Sequence, residues 1–247
     1  MTTALENARG LYHIGIRDGR PREAVQRFTG DGYTQHSTGV KDGADGFVEF
    51  FETFLERNPE REIDIVRSLQ DGDLVFMHAA QSLNGGADRW ITMDILQADD
   101  QDRMIEHWDV ITEWTEDSQV DGPTEPDSGT PTAESKELVR RYIDEVLSEG
   151  RTDRLGNYVA TDLVQHDPAV GDGLEALATS LAGTKYAETV LVVGAGDMVA
   201  TLSRVEIDGV ESAVMDLHRV ADGRIVEHWT AREPVPPADQ LLNGGKF

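Results

Sequence analysis

Arg103-Met104-Ile105-Glu106-His107-Trp108-Asp109-Val110 and Arg224-Ile225-Val226-Glu227-His228-Trp229-Thr230-Ala231 are two versions of one segment. Each alternates in polarity, follows an Asp-rich turn and closes a block of strand-like sequence, so each is expected to be the last strand of a sheet. Working outward, Gln165-His166 lies 130 residues after Gln35-His36, Asp172-Gly173 lies 130 after Asp42-Gly43, and Tyr142 stands in the same relation to Tyr12. Nearer the end the offset falls to 122 for Met215-Asp216 against Met93-Asp94 and to 121 for the Glu-His-Trp triplets. The second copy has therefore lost about nine residues, mainly where the first carries Phe47, Phe50, Phe51, Phe54 and Leu55 at helical spacing; Leu174, Leu177, Ala178 and Leu181 form a shorter face. Ordered matches with small slips indicate one unit written twice.

Within the first copy, residues 4–16 and 21–28 read as two helices split at Asp18-Gly19-Arg20, with Pro21 opening the second. A short extended piece, Tyr33 to Ser37, precedes the Phe-rich helix, which Asn58-Pro59 ends. Period-two runs broken by Asp71-Gly72-Asp73, Asn84-Gly85-Gly86 and residues 98–102 then give four strands joined as a meander. The expected fold class is α+β: two tandem domains, each a curved antiparallel sheet with about three helices on one face. The boundaries are 1–115 for the first domain, 116–133 for a Pro/Asp/Thr-rich mobile linker, 134–237 for the second domain and 238–247 for a C-terminal tail.

Composition narrows the partners. Of 247 residues, 47 are acidic and 22 basic, a net charge of −25, which argues against a nucleic-acid surface and against binding to anionic membrane. The same excess predicts a protein adapted to high salt, losing stability in dilute buffer. With no cysteine, disulfides, thiolate chemistry and Cys-based metal sites are excluded. No stretch reaches transmembrane length and no basic segment precedes an apolar run at the start, so a cytoplasmic location is expected.

Tyr33-Thr34-Gln35-His36, Asp42-Gly43 with the Phe47 to Phe54 helix, Asp71-Gly72-Asp73-Leu74-Val75, His78, Met93-Asp94-Ile95 and Ile105 to Val110 together resemble the SnoaL-like family of the nuclear-transport-factor-2-like (NTF2-like) superfamily. The resemblance implies cone-shaped domains whose sheet wraps a pocket, fused here as an intramolecular pseudo-dimer that can associate further as a homo-oligomer. It also implies a small-molecule ligand or substrate, and in polyketide-cyclising relatives an aldol condensation without a cofactor. A carboxylate or His takes a proton beside a carbonyl, and a donor stabilises the enolate.

The candidate catalytic residues of the first copy are His36, His78, Asp94 and Asp109, with His107, Phe76, Phe51 and Trp90 as binding residues. His166, Asp216 and His228 are the second-copy counterparts, whereas Leu202 stands for His78 and Thr230 for Asp109. The first pocket is therefore expected to work and the second to be degenerate. Each residue has a structural alternative: His36, present in both copies, can serve the fold by satisfying backbone groups, and Asp94 can pair with a neighbouring His or Arg. No metal or cofactor is expected, since no close His-pair spacing, phosphate loop, nucleophile elbow or dinucleotide fingerprint occurs. The function is then either cofactor-independent acid–base catalysis on a small, largely apolar carbonyl compound (an aldol cyclase, isomerase or dehydratase step), or non-catalytic hydrophobic-ligand binding or assembly.

Overall fold

The structure is a computed structural model that describes residues 2–247. Two compact units emerge: Met1–Trp114 with Val235–Phe247, and Thr115–Pro234. The tail that follows the second repeat in sequence thus belongs to the first unit. The segment between the repeats belongs to the second.

The first unit contains α1 (Ala4–Gly10), continued by a π-helical stretch Leu11–Arg17, α2 (Pro21–Phe28), β1 (Thr29–Gln35), α3 (Gly43–Arg57), β2 (Arg61–Asp71), β3 (Leu74–Leu83), β4 (Asp88–Ala98) and β5 (Met104–Glu113). Local chemistry sets these ends. Thr3 and Glu6 form a reciprocal capping box on α1, and Pro21 occupies the first turn of α2. Asp42 caps α3 and its Oδ1 also accepts the Gln35 N–H at 2.9 Å, fastening the end of β1 to the helix start. Gly43 sits at φ +82°, a backbone that L side chains avoid, which accounts for the Asp-Gly pair. Asp172 accepts the Gln165 N–H in the same way, beside Gly173 at φ +90°.

The sheet order is β1-β5-β4-β3-β2. The four-strand meander is antiparallel as expected, and β1 adds to its edge in parallel, Gln35 opposite His107, making the sheet mixed. The crossover through α3 and the meander permits that direction. Register shifts mark a bulge at Val66 in β2 and another at Ile105 in β5, features that bend and twist a sheet locally. Between the sheet and the helices lies a core that includes Leu11, Tyr12, Ile16, Phe28, Tyr33, Phe47, Val75 and Met104.

The second unit repeats the plan with α4 (Thr132–Tyr142) running into a π-helical stretch Ile143–Ser148, then β6 (Val159–Gln165), α5 (Leu174–Ser180), β7 (Thr184–Ala195), β8 (Met198–Ile207), β9 (Val210–Ala221) and β10 (Arg224–Pro234). Its sheet order, β6-β10-β9-β8-β7, is identical in topology. A 3-10 stretch, Thr152–Asn157, stands where α2 stands in the first unit, and α5 is half the length of α3. Among the described residues no helix is long and apolar enough to cross a membrane.

Candidate functional site

In the first unit a cavity of about 280 Å³ opens between the π-helical stretch, α3 and one face of the sheet. Phe47, Phe50, Phe51 and Phe54 of α3 line one side, with Leu11, Ile16, Tyr33, Val40 and Leu96 extending the apolar wall. Phe50, Trp90 and Ile111, each more than a third exposed, are large apolar side chains lining it where water reaches. Tyr12, Gln35, Asp94, His107 and Asp109 are polar side chains set into this apolar lining.

Strand parity puts them there. Asp94 lies directly across from Asp109, and Leu96 from His107, so β4 and β5 present both carboxylates on one face. Two buried carboxylates side by side repel unless each finds a positive or hydrogen-donating partner. Asp94 receives the Tyr12 hydroxyl on Oδ2 at 2.6 Å and faces His107 Nε2 through Oδ1 at 2.8 Å. Gln35 Oε1 accepts the Ser37 N–H at 3.1 Å, which orients its amide, so His107 Nδ1–H donates to the same oxygen at 2.7 Å. With that proton on Nδ1, the contact between His107 and Asp94 needs a second one, shared by the pair.

Asp109 is neutralised by a residue that no motif announced. The amine of Lys246 donates to its Oδ1 at 2.8 Å from a side chain almost wholly buried. Burial alone pushes the Asp109 carboxyl up, but the Lys246 ammonium, His107 and the Ser37 hydroxyl outweigh it and hold it below the ordinary 3.8. The tail carrying Lys246 is tied down by Asn243 Nδ2, donating to the Ser37 and Val40 carbonyls, and by His36 Nδ1–H, donating to the Gly245 carbonyl at 2.7 Å. The Tyr12 and Tyr33 phenols are pushed far up, first by burial and then by Asp94, so both stay neutral hydrogen donors.

Of the residues singled out from sequence, Asp94, Asp109, His107, Phe51 and Trp90 meet at the cavity. His36, His78 and Phe76 do not. His78 lies across from Met93, and Phe76 across from Ile95, on the opposite face of the sheet, where His78 Nδ1 meets Arg67 at 2.9 Å. His36 stacks on Trp108, rings parallel at 4.9 Å, and faces Glu106 through Nε2 at 2.8 Å. His166 repeats this with Trp229, Glu227 and the Ser118 carbonyl, so the repeated histidine anchors a chain segment in each unit. Tyr12, Tyr33, Gln35 and Lys246 are the lining or supporting residues not singled out. The repeated Tyr12/Tyr142 and Gln35/Gln165 matches carried a signal for two of them; nothing near Lys246 carried one.

The family model of the SnoaL-like domain matches residues 8–110 and again 139–228. The chain belongs to the SnoaL-like family. No curated protein matches it. Solved structures similar to one SnoaL-like repeat include a Bacillus cereus protein provisionally described as a polyketide cyclase, 18% identical, covering 44% of this chain and 73% of that one with a TM-score of 0.39. An NTF2-like protein of unknown function from Mesorhizobium loti is 24% identical over 44% of this chain and 96% of its own, TM-score 0.37. An epoxide hydrolase of M. tuberculosis is 21% identical over 41% and 84%, TM-score 0.36.

The second SnoaL-like repeat keeps a carboxylate and an imidazole but rearranges their partners. His228 Nε2–H donates to Asp216 Oδ1 at 3.0 Å, while Tyr186 of β7 supplies the phenol on Oδ2 at 2.8 Å. Tyr142, the counterpart of Tyr12, packs edge-on against His218 instead. Asp167 N–H fixes Gln165 Oε1, so the Gln165 amide nitrogen donates to His228 Nδ1 at 3.0 Å, the reverse of the Gln35 contact. Burial pushes the Asp216 carboxyl up, and contacts with His228 and Thr230 bring it below its usual value; burial and His228 push His218 down to about 3. Arg232 and Asp167, paired as ions, stand where the first repeat has Ile111 and Ser37.

Proposed function

We propose that the first repeat is a cofactor-independent acid–base catalyst acting on a small, largely apolar carbonyl compound. The observation that carries this is the convergence of an ionised Asp109, a proton-sharing His107–Asp94 pair and two neutral phenols on one apolar cavity. Asp109, kept ionised at neutral pH by Lys246, accepts the proton on the carbon beside the carbonyl. The Tyr33 phenol, pushed far up by burial and by Asp94 and so kept protonated, donates to the developing enolate oxygen. The proton then returns from Asp109 to the same or a conjugated carbon, which leaves Asp109 ionised again, so the step balances without a co-reactant. The apolar walls lower the local dielectric and strengthen each of these contacts.

The test is exchange of α-protons in D2O by a panel of small apolar ketones, followed by NMR alongside their binding. Exchange by the wild type that Asp109→Asn abolishes, with binding retained, supports catalysis. One observation favours the alternative, a ligand-binding module: Asp109 and Asp94 are each already held by side chains of the protein itself. Binding with no exchange in any variant would establish that reading.

A further inference from the structure

The second repeat gathers three side chains that its proposed role as a degenerate copy does not require. Asp216, His218 and His228 each offer one ligand atom, and these atoms lie within 4.8 Å of one another. The two rings stack with centroids 4.9 Å apart and planes inclined by 24°. Bonds of about 2.0–2.2 Å to a common ion would set donor atoms roughly 3.0–3.5 Å apart, so small side-chain shifts suffice. The Asp216 to His228 contact, at 3.0 Å, already has that spacing.

A second observation comes from His218 itself. It is 2% exposed, and its Nδ1 has no hydrogen-bond partner. A buried ring nitrogen left unpaired is unfavourable unless something occupies it. The position is Leu96 in the first repeat, in the same row of the sheet beside the equivalent histidine, so the imidazole is not needed to build the fold.

Supporting contacts are in place as well. Tyr186 holds the carboxylate of Asp216, and Gln165 holds His228. Such outer partners orient metal ligands. Taking an ion on Nε2 moves the His228 proton to Nδ1, and the Gln165 amide then turns to present its oxygen, the orientation Gln35 already shows toward His107.

We infer that Asp216, His218 and His228 form a binding site for one divalent transition-metal ion of the zinc, cobalt or nickel class, a set of two imidazoles and one carboxylate that suits such ions and not calcium or magnesium. The inference is independent of the activity proposed for the first repeat.

The experiment uses the full chain, stripped with a chelator and titrated with Zn2+ or Co2+ alone against a chromophoric competitor. Expected are one tight equivalent per chain, visible absorption from bound Co2+ and a raised thermal midpoint. His218→Leu, which installs the residue of the first repeat, should weaken binding by roughly 100-fold or more while the metal-free protein melts no lower than wild type. Asp216→Asn provides a second loss of a ligand. No tight equivalent in the wild type, or an equivalent unaffected by both substitutions, overturns the site, the latter meaning adventitious surface binding only.

Discussion

In the first repeat a helix delivers the phenol of Tyr12 to Asp94; in the second a strand delivers that of Tyr186 to Asp216. Tyr186 pairs with Val205 in the row that holds Ile63 and Gln81 in the first sheet. A phenol stands in the row where the first sheet has the smaller Ile63, and the ion pair of Arg232 with Asp167 stands where it has Ile111 and Ser37. The first repeat thereby keeps a carboxylate, Asp109, facing an apolar cavity, while the second turns its polar groups on one another. The lesson is that a duplicated fold retains its carboxylate–imidazole pair as an element of construction. What sets the first repeat apart is the extra charge beside that pair and the space left open.

The widest separation between the repeats should appear in turnover. Asp109→Asn is expected to cut α-proton exchange by about 100-fold to 10,000-fold, whereas Thr230→Ala, at the matching position of the second repeat, leaves it unchanged. Equal effects would break the comparison.

Next in size is Lys246→Met, which leaves Asp109 buried and unpaired. Urea unfolding should show a loss of about 3–5 kcal/mol, most of it recovered when Asp109→Asn is added. The sign with pH follows from the shift. In the wild type Asp109 lies below its usual 3.8, so its contribution is present above that pH and fades as acid carries it through the lower folded value. Without Lys246, burial raises the carboxyl, and stability should instead fall as pH rises from about 4 toward neutrality. An unchanged acid limb would remove Lys246 from the site.

Ile63→Tyr imports the filling residue of the second repeat. Ligand affinity in the first cavity should drop on the order of tenfold, read by calorimetry, with the fold retained. Tyr186→Phe should cost about 1.5–3 kcal/mol in stability without touching turnover, because its hydroxyl serves only Asp216. The smallest contrast concerns salt. With a net charge of −25 over the whole chain, the thermal midpoint should rise from dilute buffer to molar KCl for both units alike.

Fold and site differ in how far they were legible. The Glu-His-Trp repeats, the Asp-Gly caps and the period-two runs specify elements through near-neighbour physics, so strands, helices and duplication could be read directly. His107 and Asp109 share a face by alternation along β5, Asp94 came from its match with Asp216, and all three line the cavity. His78 and Phe76 were misplaced for the complementary reason: nearly every residue of β3 is buried, on both faces, so hydrophobicity alone does not tell the cavity side from the other. The direction of β1 was equally invisible, since a parallel edge strand and an antiparallel one carry the same pattern.

By itself, then, the amino-acid order determined two α+β repeats, their acidic surface and a carboxylate–imidazole pair in each, because those properties reside in spacing and charge. Tertiary structure alone decided that Lys246, 137 residues from Asp109, supplies the countercharge. It alone decided that a strand tyrosine, Tyr186, reaches Asp216, and that His218 lies beside Asp216 and His228. These depend on which distant segments share a buried, low-dielectric space, and no local pattern encodes that neighbourhood.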